Sequence, residues 1–155
     1  MDVLTPEQRR RNMAAIKGKN TNPELKVRKA LHALGFRFRL YRRDLPGRPD
    51  IVLPRLQTAI FVHGCFWHMH SCRFGLVRPA TNAKFWKDKR AATAERDRRK
   101  TKLLEASGWR VLVVWECETR DQESLSELLR AAFAPIFQNS NKVRVFGSRL
   151  KNHEL

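Results

Sequence analysis

Ile51-Val52-Leu53, a break at Pro54, then Ala59-Ile60-Phe61-Val62 leading into His63-Gly64-Cys65-Phe66-Trp67-His68-Met69-His70-Ser71-Cys72 is the stretch that decides the fold. Both apolar runs are too short for helices and rich in β-branched residues, so they predict paired strands near the centre of a sheet. Upstream, Phe36, Phe38 and Leu40 alternate with Arg37 and Arg39, which predicts a strand with one apolar and one basic face. The turn-forming run Asp44-Leu45-Pro46-Gly47-Arg48-Pro49 separates it from the first apolar run. Downstream, residues 82–107 predict one long charged helix closed by Gly108, followed by a β-rich stretch over 109–115 that ends beside Cys117.

Further outward, helices complete the pattern. Thr5-Pro6-Glu7-Gln8 has the form of a capping box, opening a short basic helix over about 5–17. Asn22-Pro23-Glu24 repeats the device, and Leu25, Ala30, Leu31 and Leu34 recur at roughly helical spacing until Gly35 ends the second helix. Leu125, Leu128, Leu129, Ala132, Phe133 and Ile136 share one face of a last amphipathic helix. A polar tail over 138–155 carries a possible short strand at 143–146. The order is helix, helix, three strands, long helix, strand, helix. It implies a single mixed α/β domain spanning residues 1–155, with its core over 22–137 and no internal repeat.

Composition narrows the function. The 155-residue chain has 32 Lys plus Arg against 15 Asp plus Glu, a formal charge of +17. Self-repulsion of that size is tolerated most easily with a polyanionic partner, so nucleic acid is the first candidate. The balance alone does not separate DNA from RNA. There is no Gly-rich phosphate loop, which argues against a nucleotide-dependent enzyme. No window approaches the ~18 apolar residues of a membrane span, and residues 1–11 lack a signal-type apolar region, so a cytoplasmic protein is expected.

Chemistry concentrates between His63 and Cys72. Three of the five histidines and two of the three cysteines fall there. Cys65, His70 and Cys72 with the distant Cys117 would supply the four soft or borderline ligands of a structural Zn²⁺ site. The competing reading is of ordinary reduced cysteines buried as small apolar groups. His63 and His68 are left over, either as hydrogen-bonded histidines without chemistry or as site residues. Asp50 lies one strand pair before His63, so antiparallel pairing can bring carboxylate and imidazole to one sheet end. A hard carboxylate there suits Mg²⁺, although a plain turn residue is the alternative.

Several blocks together resemble the very short patch repair endonuclease family: Leu45 through Asp50, His63 through His68, Phe85-Trp86, Glu95 through Arg99, Gly108 through Leu112, and Val114 through Cys117. The resemblance covers roughly residues 8–137. It implies a core similar to type II restriction enzymes and a Mg²⁺-dependent nick 5′ of the thymine in T·G mismatches left by 5-methylcytosine deamination. It places a metal-binding aspartate on Asp50, catalytic histidines on His63 and His68, an orienting aspartate on Asp97, and zinc ligands on Cys65, His70, Cys72 and Cys117. Threonine is expected before His63. Val62 stands there instead, offering Mg²⁺ only a main-chain carbonyl. Glu24 is either an outer carboxylate of the site or a helix-dipole partner.

Phe66, Trp67 and Trp86 are candidate wedges between base steps, as the resemblance implies, or else core aromatics. Met13 resembles a residue inserted from the opposite groove, or else a packed methionine. The basic residues of the long helix and of the first helix, Arg90 and Lys100 among them, are expected to supply some phosphate contacts. The expected partner is double-stranded DNA carrying a T·G mismatch, bound by a monomer, with a functional link to a cytosine-5 methyltransferase and to mismatch-repair proteins. Two competing readings are a zinc-stabilised nucleic-acid-binding module without catalysis and a nuclease with a different DNA target.

Overall fold

A computed structural model describes residues 5–15 and 19–135. Two helices, α1 (Pro6–Ala15) and α2 (Asn22–Ala33), precede the strands β1 (Arg39–Leu40), β2 (Ile51–Leu53) and β3 (Thr58–His63). Then follow α3 (Ala83–Ala106), β4 (Arg110–Trp115) and α4 (Gln122–Ala132). The four strands form one sheet in the order β1-β2-β3-β4. β2 pairs antiparallel with both β1 and β3, whereas β3 and β4 run parallel, with α3 in the connection between them. The expected order of elements and the central place of β2 and β3 are both found.

Strand alternation divides the core into two layers. On one face Ile51, Leu53, Ile60 and Val114 pack under Val27, Ala30 and Leu31 of α2 and Leu125 and Leu129 of α4, with Phe133 completing the layer. On the other face Ala59 and Phe61, with Val111, Val113 and Trp109 packed against them, meet Leu104 of α3. β3 is thus covered on both sides. Burying a Leu or Ile at such positions contributes about 1.5–3 kcal/mol each relative to exposure.

Three local expectations shift. The cap of α2 is Thr21, whose hydroxyl accepts from Glu24 N–H at 3.3 Å, one residue before Asn22. The inward face of that helix carries Glu24, Val27, Ala30 and Leu31, while Leu25 stays 46% exposed. The strand expected over 36–40 is only Arg39–Leu40, because Phe36 turns into the core against Phe133 and Leu40 remains exposed at the sheet edge. The capping box at Thr5 and Gln8 forms as expected, with reciprocal bonds of 2.8 and 3.2 Å. The side chain of Met13, Ile136, the tail over 138–155 and the strand expected at 143–146 lie outside the described residues. Among the described residues no helix is long and apolar enough to cross a membrane.

Candidate active site

The turn before β2 sets Asp50 at one end of the sheet. Gly47 and Arg48 both take left-handed backbone conformations, with φ of +75° and +47°. That geometry suits the glycine and strains the arginine. Tyr41 N–H donates to the Asp50 carbonyl, and Val62 N–H donates to Asp50 Oδ2 at 2.8 Å. Antiparallel pairing of β2 with β3 therefore brings Asp50 to the end of β3, beside the residue that precedes His63. Burial pushes the Asp50 carboxyl up to about 6; the Val62 N–H opposes this and the Glu24 charge adds to it.

His63 ends β3 and is nearly buried, edge-on to Trp115, its register partner on β4. After Gly64 the chain folds back through tight turns, with His68 N–H donating to the Gly64 carbonyl and Met69 in the left-handed region. The His68 ring is thereby laid flat on His63, with centroids 3.8 Å apart. α3 supplies the third group: Asp97 Oδ2 lies 2.6 Å from His68 Nδ1, and its other oxygen is 3.9 Å from His63 Nε2. Burial, followed by the charge of His68, pulls the His63 pKa down to about 4. Its Nδ1 is buried without a hydrogen-bond partner. Asp50, Val62, His63, His68 and Asp97 line one cleft of about 530 Å³, together with Glu24 and Lys100.

The fold also joins cysteines distant in sequence. The donor atoms of Cys65, His70, Cys72 and Cys117 all lie within 4.8 Å of one another, so this cluster could hold a metal ion. Cys117 Sγ is 3.5 Å from His70 Nδ1, and Cys117 N–H donates to Cys65 Sγ at 3.3 Å. The His70 ring stacks on Trp115 at 4.1 Å, which fixes its direction. Ligand atoms around a tetrahedral zinc with Zn–S of ~2.3 Å sit roughly 3.8 Å apart, so the donor set fits that ion with little movement. Burial pushes the Cys65 thiol up to about 12.

Comparison with known proteins follows from this geometry. The family model described as DNA mismatch endonuclease Vsr matches residues 1–74. A type II nicking enzyme, V.XorIIP of Xanthomonas oryzae pv. oryzae, is 50% identical over 134 residues, covering 86% of this chain and 98% of the relative. The chain belongs to the Vsr family of DNA mismatch endonucleases. The DNA mismatch endonuclease Vsr of Escherichia coli is 44% identical over 126 residues, 81% of this chain and 80% of its own. The nicking enzyme V.NmeAIP of Neisseria meningitidis is 42% identical over 133 residues, 83% and 94% respectively.

In this Vsr-family chain the candidate wedge residues form one cluster. Phe66, Trp67 and Trp86 meet pairwise with ring centroids 5.4–5.7 Å apart in edge-type contacts, and each is half-buried. Phe85, which the sequence reading did not single out for DNA contact, adjoins Trp86 at 5.3 Å and is 55% exposed. Lys89 lies over the faces of Trp67, Phe85 and Trp86. The neighbouring Phe85-Trp86 pair with a basic residue one helical turn on was the available signal.

One charged residue differs from expectation, and another falls on one of its two alternatives. Arg90, counted among the phosphate-contacting residues of the long helix, is buried. Its guanidinium donates to the carbonyls of Phe66 at 2.7 Å, Val77 at 3.0 Å and Gly75, and stands over the Phe66 ring. It ties the cysteine-bearing loop to α3 because those carbonyls have no ladder of their own. Glu24 is 3% exposed and opens onto the Asp50 cleft, where Arg28 and Tyr41 bond it.

Proposed function

We propose that this chain is a Mg²⁺-dependent endonuclease that nicks duplex DNA 5′ of the thymine in T·G mismatches arising from 5-methylcytosine deamination, and so opens a short-patch repair event. The observation that carries this reading is the convergence of Asp50 with His63, His68 and Asp97 in one cleft. A binding module without catalysis has no use for a carboxylate–imidazole pair at 2.6 Å opposite a second carboxylate. The names of the curated relatives, a mismatch endonuclease and nicking enzymes, support the reaction class.

Asp50 would hold the Mg²⁺, with the Val62 carbonyl as a second ligand. Val62 N–H points at Asp50, and a strand residue's C=O leaves on the same edge as its N–H. Bound there, Mg²⁺ supplies Lewis-acid polarisation of the scissile phosphate. The His68 Nδ1–H donates to Asp97, leaving Nε2 to accept a proton from the attacking water. His63, neutral at pH 7 because of its low proton affinity, acts as a hydrogen-bonding group toward the phosphate or the leaving oxygen. Cys65, His70, Cys72 and Cys117 would hold a structural Zn²⁺ that fixes the loop carrying Phe66, Trp67 and His68. Phe66, Trp67 and Trp86 enter the base stack at the mismatch, where unstacking is cheapest, and Met13 does so from the opposite groove. The core is of the restriction-endonuclease type, working as a cytoplasmic monomer on lesions left by a cytosine-5 methyltransferase, alongside mismatch-repair proteins.

The test is nicking of a labelled duplex with one T·G mismatch against the same duplex with C·G, each in Mg²⁺ and in Mg²⁺-free buffer. A Mg²⁺-dependent nick 5′ of the mismatched thymine, at least tenfold faster than on C·G, is the expected result. Equal cutting of both duplexes would discard the repair role, and binding without cutting would discard the enzyme.

A further inference from the structure

The long helix α3 has a polar inward stripe. Arg90, Asp97 and Leu104 recur at intervals of seven and face the loop, the catalytic pair and the core in turn. Lys100 lies between the last two, three residues after Asp97 and therefore on the same side of the helix. It is the basic residue of α3 that lines the Asp50 cleft. Its aliphatic stem crosses Gly47 so closely that a Cβ built there would stand 2.7–2.8 Å from Lys100 Cβ, Cγ and Cδ. The left-handed turn of the Leu45–Asp50 segment and the missing side chain at Gly47 thus open a channel for this one lysine. Lys100 is half-buried, and among the described residues no carboxylate stands within ion-pair distance of its ammonium.

We propose that Lys100 is a catalytic residue whose ammonium holds a non-bridging oxygen of the scissile phosphate, opposite the Asp50 carboxylate. The proposal rests on the nicking reaction proposed above. Lys100 lines the cleft together with Asp50 and His63, and its charge is felt by both. Negative charge on the phosphoryl oxygens grows as the water oxygen bonds to phosphorus and the P–O3′ bond breaks. A fixed cation in a partly desolvated cleft stabilises that change more than it stabilises the ground state. The exposed basic residues of α3 contribute affinity; Lys100 contributes rate.

The experiment is single-turnover nicking, with equilibrium binding, of a T·G duplex at saturating Mg²⁺ by wild type, Lys100→Met, Lys100→Arg and Lys26→Met. Methionine keeps the unbranched stem over Gly47 and removes only the charge. Lys100→Met should nick on the order of 100-fold more slowly while binding within about threefold of wild type, Lys100→Arg should recover at least a tenth of the wild-type rate, and Lys26→Met, at an exposed position of α2, should nick at the wild-type rate. Lys100→Met nicking within threefold of wild type overturns the proposal. So does an equal loss in Lys100→Met and Lys100→Arg, since charge is then not the operative property. Wild type that binds but nicks no duplex removes the underlying reading rather than Lys100's place in it.

Discussion

The imidazole rings of His63 and His68 stack with centroids 3.8 Å apart and planes within 2° of parallel. One carboxylate, Asp97, faces both rings, at 2.6 Å from His68 and 3.9 Å from His63. A proton on His68 therefore disfavours a proton on His63, and the closer contact gives His68 the carboxylate. The pair is divided into a ring oriented by Asp97 and a ring kept neutral by burial. Asp97→Asn should keep this stack but remove the carboxylate that orients His68. Nicking should fall by about 10²-fold or more, with the loss in the single-turnover rate rather than in binding; an unchanged rate would remove Asp97 from the reaction.

Asp50 and His63 carry opposite pH linkages. His63 drops from 6.5 to about 4 on folding, so the unfolded chain binds more protons between those values and stability falls as pH drops through that window. Asp50 rises from 3.8 to about 6, so the folded chain binds more protons and stability falls as pH rises through that window. Relative to wild type, Asp50→Asn should gain stability from pH 4 to 6, and His63→Gln should gain it from pH 6.5 down to 4, each by up to about 2 kcal/mol. Denaturation curves in Mg²⁺-free buffer across pH 4–7 read both slopes. Parallel slopes in the two variants would contradict these linkages.

If Asp50 holds the Mg²⁺ as proposed, the ion and the proton compete for the same carboxylate oxygens. At subsaturating Mg²⁺ the nicking rate should rise with pH through an inflection near 6, the value to which burial lifts this carboxyl. Raising Mg²⁺ should move the inflection to lower pH, because the ion favours the ionised form. An inflection that stays fixed over a hundredfold range of Mg²⁺ would show that the titrating group is not the metal ligand.

The cysteine cluster predicts about one zinc per chain in purified protein. Cys117→Ala leaves Cys65, His70 and Cys72 on the loop but removes the ligand that joins them to the end of β4. Zinc content should fall below half, and Tm should drop by roughly 10 °C, corresponding to about 3 kcal/mol for a domain of this size. Metal analysis and a melting curve are sufficient. Full zinc retention would place the ion elsewhere.

Arg90 and Lys89, adjacent in sequence, should behave differently. Lys89 stands over exposed aromatic faces, and Lys89→Met should weaken DNA binding and reduce the slope of log Kd against log salt by about one. Arg90→Met breaks three hydrogen bonds to loop carbonyls, and should lower Tm and nicking while leaving that slope unchanged. A reduced slope in Arg90→Met would make it a phosphate contact after all.

The sheet was legible in the sequence because short continuous apolar, β-branched runs report directly on strands buried on both faces, as at Ile60 and Phe61 of β3. So was the capping box of α1, whereas the cap of α2 falls on Thr21 and not on Asn22. The gathering of Asp50, His63, His68 and Asp97 was legible through strand pairing and the family resemblance together, since no local pattern links Asp97 to His68 across the intervening chain. What stayed hidden was burial of charge. Glu24, Arg90 and Lys100 occupy inward positions on helices whose inward faces sequence periodicity assigns to apolar residues. Helical spacing groups Leu25 with Ala30 and Leu31, where Glu24 is the buried residue, and the charge run groups Arg90 with the DNA-contacting face, where it is buried. The inward stripe of α3 is polar because its partners are loop carbonyls and the cleft, and hydrophobic periodicity carries no signal for such partners.

The most direct measurement is single-turnover nicking and equilibrium binding, on the same T·G duplex in Mg²⁺, for wild type, Asp50→Ala and His68→Ala. Both variants should lose at least about 10³-fold in nicking rate and stay within about threefold of wild type in Kd, because the proposed reading has Asp50 and His68 act on the reacting phosphate and water while the basic surface holds the DNA. Loss of binding in proportion to loss of nicking, or nicking retained in either variant, would contradict the assignment of this cleft as the catalytic centre.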